Sequence, residues 1–560
     1  MRTIYINVII AALVVSSCIK ETFPQGSVQT QAQVSNSETA LEAMANAIPA
    51  SMMTSNVLGW ASSSSYGDHT DFGIGAIHLK TEFMLEDMVT SGDNPYYNRF
   101  YPYVLNRSQG ERYIYCAYFW QCYYKWIRMA NDIISLVDPQ TAHADAIQIL
   151  GQAYAYRAMC YLDLARLYEP KENNYTDVSD ILRLTVPIVK EGTSEHQAKD
   201  NPRATREELY SFILSDLAMA QAYLASSSSA YTLPTVAAVY GLFARTYLEM
   251  GYWDGDVDAF SEAARYARMA ISTSGKTVLT QEQWEDPVNG FNNGAASNSW
   301  IWGLTTSSEN TINIVTYTAH ISSEGTWGYA PLSQICASKR FYDAIPDVDF
   351  RKHSWLDPAY LENPAAGVPY SYKFSGDDVD KLNFLSGTDS NPAAVAYQNI
   401  KFRPYQGECS DYAVGNCADH PLMRVEEMLF IEMEALAHSD LGSAIGLLED
   451  FMDTRLVGAD YVCEAGDLNS FLEEMLFQKR VEFWGEGVLF FDYKRLGCGV
   501  TRGYQGTNES AIYALNSNGR SPQWNIVITN AEFQYNSAIG SSTNNPDPSG
   551  LLTLWDSQQE

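Results

Sequence analysis

Apolar positions recur with helical spacing through most of this chain. Residues 39–58, 76–90, 112–136, 143–169, 205–225, 234–250 and 257–272 each carry an apolar face at three- and four-residue steps, and predict helices. The stretch 112–136 is so aromatic that it reads as buried on several faces, and Ala155, Ala158 and Ala165 invite close approach of a neighbour. Thr205 and Glu208 form a capping box ahead of Leu209, Ile213 and Leu217. The pair at 234–272 resembles a tetratricopeptide unit, with Ala244 and Gly251 on one helix and Ala263, Ala267 and Ala270 on the other.

From about 274 to 420 the apolar runs shorten and Gly, Asn, Ser, Pro and Asp rise. Segments 298–304, 311–321 and 396–405 read as strands or irregular structure in a loop-rich insertion, with Trp300 and Trp302 as core. Helices return at 423–438, 441–454 and 468–485, and 499–560 is mostly irregular.

The first eighteen residues have a different pattern. Arg2 precedes the apolar run Ile4 to Val15, and Ser16-Ser17 leads directly into Cys18. That order is a secretory signal too short to span a bilayer, and the cysteine resembles a bacterial lipobox. The expectation is cleavage before Cys18, an acyl-carrying Cys18, and a polar flexible tether over 18–37.

Composition narrows the function. The net charge is −31, from 67 acidic against 36 basic residues, so the surface repels nucleic acid and nucleic-acid binding is set aside. The 37 Tyr, 22 Phe and 12 Trp exceed what packing alone needs and leave rings for stacking on sugars. With Cys18 assigned to lipid, eight of nine cysteines remain, of which Cys409 and Cys417 bracket a short loop and are candidates to pair. No cysteine or histidine pattern suits structural zinc. Asp254 to Asp258 mimics a calcium loop, but Arg265 stands where its bidentate Glu belongs. Asp377, Asp378 and Asp380 read as a solvated loop where calcium would be adventitious; no cofactor is expected.

The densest motif lies at 471–497. Glu474, Gln478 and Glu482 share a helical face, Lys479 and Arg480 are placed to pair with Glu482 and Glu486, and Asp492 with Arg495. Catalysis needs an acid and a base across an open cleft, and Glu482 and Glu486 sit among bulky apolar residues, so these charges read as structural and the chain as no enzyme.

The run Gln478 to Gly487, then Phe490-Phe491-Asp492 and Lys494-Arg495-Leu496-Gly497, resembles the SusD/RagB family pattern. Gln478 departs from a usual Glu, and Val488-Leu489 from an Arg or His. Asp419 to Glu427 with Glu434-Ala435, Ala153 to Tyr168, Trp120 to Asn131 and Asp349-Phe350-Arg351 resemble further family segments in the same order, with Glu426 in place of the usual Ala. The resemblance implies a mainly α fold, a superhelix of tetratricopeptide-like pairs. Its body would run from 38 to 560, with a helical scaffold at 38–273 and 421–497, a variable ligand-binding region at about 274–420 and an irregular tail at 498–560. It implies a cell-surface outer-membrane lipoprotein that binds a glycan, or in some branches a peptide, and delivers it to a SusC-like TonB-dependent transporter. Lys20-Glu21 resembles the family's surface-export signal.

The family has no contact motif, so ligand residues are chosen from chemistry. Tyr96, Tyr97, Asn98 and Arg99 in one loop, and Trp327 and Tyr329 in the insertion, combine ring faces with polar groups; Trp60 and Tyr66 are reserves. The rival from another class is a secreted helical glycoside hydrolase or lyase.

Overall fold

Ser37 caps the first helix by accepting from the Ala40 amide. The computed structural model describes residues 37–55, 57–58, 68–90, 108–224, 230–309 and 314–556. The helices are α1 (Glu38–Met53), α2 (Ile74–Glu82), α3 (Ile114–Leu136), α4 (Ala144–Tyr168), α5 (Arg206–Tyr223), α6 (Val236–Asp254) and α7 (Val257–Ser274). Within the insertion lies α8 (Asp378–Ser386), and after it come α9 (Val425–Ala437), α10 (Leu441–Asp453), α11 (Leu468–Phe483) and α12 (Leu489–Leu496).

The helices pack in pairs: α3 on α4, α4 on α5, α6 on α7, and then α7 on α9 across the insertion. The capping box of α5 forms as expected, with Thr205 Oγ1 accepting from the Glu208 amide at 3.2 Å and Glu208 Oε2 from the Thr205 amide at 2.9 Å. Gly255, at φ 73°, turns α6 into α7, and the Asp256 carboxylate caps the new helix. Ala263, Ala267 and Ala270 are buried, and Gly251 lies so close to α7 that a Cβ would sit 2.6 Å from the Phe260 ring. Mainly α, this is a superhelix of tetratricopeptide-like pairs.

The strands are few and short. β1 (Met88–Thr90) pairs antiparallel with β3 (Ile335–Ala337), and β2 (Trp300–Leu304) with β4 (His420–Arg424). The expected helix over 76–90 therefore ends at Glu82, because residues 88–90 are claimed by a strand about 250 positions away. Trp300 and Trp302 are fully buried on β2, as expected. The segment 396–405 forms isolated bridges, Gln398 with Cys336 and Asn399 with Trp355. Tyr317–Ile321 is one helical turn. Asp377, Asp378 and Asp380, expected in a loop, instead open α8, where the Asp377 carboxylate accepts from the Val379 and Asp380 amides. Among the described residues no helix is long and apolar enough to cross a membrane.

Candidate functional site

The three separated motif segments of the C-terminal half meet in one buried charge cluster. Glu482, on α11, accepts from Arg455 Nε at 3.0 Å, Arg424 Nη1 at 3.2 Å and Arg351 Nη1 at 3.3 Å. Arg351 also donates to Asp349 Oδ2 at 2.7 Å. Glu486 accepts from Arg424 Nε and from Lys401 Nζ, both at 2.8 Å. Glu426 accepts from the Leu279 amide at 2.8 Å and lies 2.8 Å from Arg424 Nη1. Burial pushes the Glu482 carboxyl up, but the Arg455, Arg424 and Arg351 guanidiniums outweigh burial and hold it well below the usual carboxylate range. A general acid must hold a proton at working pH and reach substrate; Glu482 is fully buried and ionised.

Lys479 and Arg480 do not pair with Glu482 and Glu486. Lys479 Nζ bonds Asp492 Oδ1 at 2.9 Å, and Arg480 Nε bonds Asp87 Oδ2 at 2.6 Å. The arginines that converge on Glu482 leave it no room for neighbours on its own helix. The expected Asp492–Arg495 pair forms at 2.6 Å.

Lys401 also binds the carbonyls of Glu482 at 2.8 Å and Trp484 at 2.9 Å, which bolts the insertion onto this cluster. Above it, Glu324 accepts from Arg403 Nη1 at 2.7 Å, the Ser375 amide at 2.7 Å and Ser375 Oγ at 2.9 Å. That floor carries a shallow recess bordered by Gly325, Thr326, Asn391 and Gln398. Asn391 Nδ2 donates to the Thr326 carbonyl at 3.2 Å.

Trp327 and Tyr329 flank this floor, but neither offers the open ring face expected of it: they are 9% and 6% exposed. Tyr329 lies in a stack of rings, with His320 at 4.4 Å and 24°, Phe72 beyond His320 at 4.4 Å and 25°, and His69 edge-on at 5.5 Å. The Tyr329 hydroxyl bonds His69 Nδ1. Gly328 makes the bend at φ 93°, its α-carbon so near Ala319 that a Cβ would lie 2.6 Å from the Ala319 carbonyl oxygen. Trp327 packs under Gly415, where a Cβ would lie 2.5 Å from the indole. Next to it the Thr326 amide donates to the Cys409 carbonyl at 2.8 Å. Trp327 thus secures the loop holding Cys409 and Cys417. Both thiols are free and donate to carbonyls, Cys409 to Gly407 at 3.6 Å and Cys417 to Ala413 at 3.3 Å.

Cys18, Tyr96, Tyr97, Asn98, Arg99, Trp60 and Tyr66 lie outside the described residues. Of the described residues, His69 touches Tyr329, and Thr90 pairs with Ile335 in the β1–β3 sheet. His69, His320 and Glu324 were missed by sequence reasoning, since single polar residues in irregular segments leave no periodic signal. Among the described residues no group of three His, Cys, Asp or Glu side chains is placed to hold a metal.

Residues 76–248 match the model of a SusD-like family described as starch-binding and associating with the outer membrane. No curated protein sequence matches the chain. Among solved structures, a SusD-like carbohydrate binding protein from Bacteroides vulgatus ATCC 8482 is 21% identical, with TM-score 0.66 over 90% of this chain and 97% of that one. A SusD superfamily protein from Bacteroides thetaiotaomicron VPI-5482 is 17% identical, with TM-score 0.65 over 91% and 100%. Surface glycan-binding protein A from Bacteroides thetaiotaomicron, in complex with laminarihexaose, is 16% identical, with TM-score 0.61 over 90% and 99%. Over residues 76–248 the chain matches the family's model, and over nine-tenths of its length it shares the fold of these SusD-like structures.

Proposed function

We propose that this protein is a cell-surface lipoprotein of the outer membrane that binds an oligo- or polysaccharide without cleaving it and passes it to a SusC-like TonB-dependent transporter. The match of residues 76–248 to a family described as starch-binding and outer-membrane-associated carries this reading. Two features support it. Glu482 and Glu486, the carboxylates of the densest motif, are buried and saturated by basic side chains, which disfavours the hydrolase or lyase alternative. Cys18 follows a short apolar leader and supplies a lipid anchor.

In this reading Tyr96, Tyr97, Asn98 and Arg99 make the direct sugar contacts. Trp327 and Tyr329, whose rings are buried, set the shape of the floor around Glu324. Titration of the full chain against a glycan array tests it. The expected result is retention of at least one glycan with no shorter products, weakened by Tyr97→Ala and by Trp327→Ala. Release of shorter products, or retention of peptides alone, overturns it. Labelling with palmitate that Cys18→Ser abolishes, and co-purification of a large β-barrel from outer-membrane extracts, test the anchor and the transporter.

A further inference from the structure

A wide groove among the described residues lies on the helical scaffold, not on the insertion. It encloses about 630 Å³, and no residue of 274–420 lines it. That volume falls in the range of small-molecule sites, about 300–1,000 Å³. Its floor is the Trp120–Tyr124 pair on α3, ring centroids 4.8 Å apart, and its rim includes Tyr535, which is 73% exposed.

The walls are fixed by their own hydrogen bonds. Trp120 Nε1 donates to Glu532 Oε2 at 3.1 Å, and the Tyr124 hydroxyl to the Pro187 carbonyl at 2.7 Å. Asn536 Nδ2 donates to the Asn201 carbonyl at 2.7 Å, and the Asn201 amide returns a bond to Asn536 Oδ1 at 3.0 Å. A groove held this way loses little freedom when a ligand enters.

Its charges are unbalanced. Glu532 is occupied by Trp120 and by Asn536 at 3.0 Å, and Glu195 by Lys199 at 2.6 Å. Lys125 and Arg128 remain as positive charges in the groove of a chain with net charge −31. Among the described residues Lys125 Nζ donates to the neutral Val57 carbonyl, and the side chains of Gln121, Arg128 and Tyr535 make no hydrogen bond to another described residue. Rings for stacking, an amide for hydroxyls and a guanidinium shaped for a carboxylate therefore meet in one preformed cleft.

We propose that this α3 groove is a second saccharide site and takes a uronate-bearing oligosaccharide, its sugar faces on Tyr535 and Tyr124 and a carboxylate on Arg128. The inference rests on the glycan-binding reading above but places an acidic chain on a different face from the insertion.

The test is calorimetric titration of the full chain with hexamers of galacturonate and guluronate and a hyaluronan hexasaccharide, with maltohexaose as neutral control. Wild type is compared with Tyr535→Ala and Arg128→Gln; both residues are exposed, so circular dichroism and melting temperature are expected to stay unchanged. At least one acidic hexamer is expected to bind, about tenfold more weakly in each variant, and to protect amides of 120–128 and 532–536 from hydrogen exchange. Acidic binding that both variants leave intact, or no acidic binding at all, overturns the α3 site. Retention of neutral glycans in either case leaves the general function standing, whereas loss of every glycan on the array defeats both.

Discussion

Glu482 and Arg455 form a two-point ion pair in which neither side chain is exposed, with Arg455 Nε 3.0 Å from Oε2 and Nη2 3.1 Å from Oε1. Such a pair contributes little over an apolar substitute, yet leaving one half of it behind strands a buried charge. Arg351 and Arg424 share the same carboxylate, so its removal takes a charge partner from three buried guanidiniums at once and leaves Asp349, Glu486 and Glu426 to balance them.

Glu482→Ala is accordingly expected to destabilise the protein by about 3–5 kcal/mol. Urea unfolding at pH 7, with wild type and variant compared at equal slope, measures this. A loss below about 1 kcal/mol would show that the cluster is dispensable to the junction of insertion and scaffold.

Gly487 poses a steric test of the same junction. It stands at φ 77°, and a Cβ there would lie 2.3 Å from the half-buried His78 ring packed against it. Its amide also donates to Glu82 Oε1 at 2.9 Å. Gly487→Ala combines left-handed strain with a clash that His78 cannot relieve, since His78 Nδ1 is held 2.8 Å from His420 Nε2. The expected loss is about 2–4 kcal/mol. A melting temperature within two degrees or so of wild type would contradict the packing described.

Helical periodicity made α3 to α7 legible, because each buries one continuous face on its neighbour. The charge cluster was legible only in part. Residues 474–495 announced themselves as a dense local run, but the partners of Glu482 come from Arg351, Arg424 and Arg455, up to 131 positions away. Spacing rules for one helix cannot see such partners, and so assigned Lys479 and Arg480 wrongly. Glu426, which stands out against the resembling family's Ala, gained a role only when the Leu279 amide was found on it. The open groove drew no attention either, because Trp120 and Tyr124 follow a core pattern and Tyr535 lies in a tail without periodicity.

Thiol chemistry separates the Cys409–Cys417 bridge that the sequence allows from the free thiols of the structure. Burial raises the thiols of both, and of Cys116, Cys122, Cys160, Cys336 and Cys463. Burial pushes the half-buried Cys498 up to about 11. Iodoacetamide at pH 8 is expected to leave the native protein almost unmodified. In guanidinium without reductant it is expected to modify all eight cysteines from Cys116 to Cys498, counted by mass. Six would establish a disulfide in solution.

His320 gives the stability a pH dependence that one substitution isolates. Burial, more than any other influence, pushes its imidazole down to about 3, against the opposing pull of the hydrogen bond to the Thr316 carbonyl. In the unfolded chain a histidine titrates near 6.5. Between those values the unfolded chain takes up a proton that the folded one refuses. The stability is therefore intact above about 6.5 and falls as the pH drops, by roughly 1.4 kcal/mol per pH unit for this residue. Burial also pushes the Glu82 carboxyl up to about 8 and the Glu509 carboxyl up to about 7, which has the opposite sign, so the wild-type profile alone does not reveal the histidine. His320→Phe does. Phenylalanine keeps the stack between Phe72 and Tyr329 but loses the bond from Nδ1 to the Thr316 carbonyl at 2.7 Å. The variant is expected to be about 1–2 kcal/mol less stable than wild type at pH 7.5 and to close that gap steadily toward pH 5.5, as followed by urea unfolding at half-unit steps. A gap independent of pH would mean that His320 titrates in the folded protein as it does in the unfolded chain, and would contradict its burial among these rings.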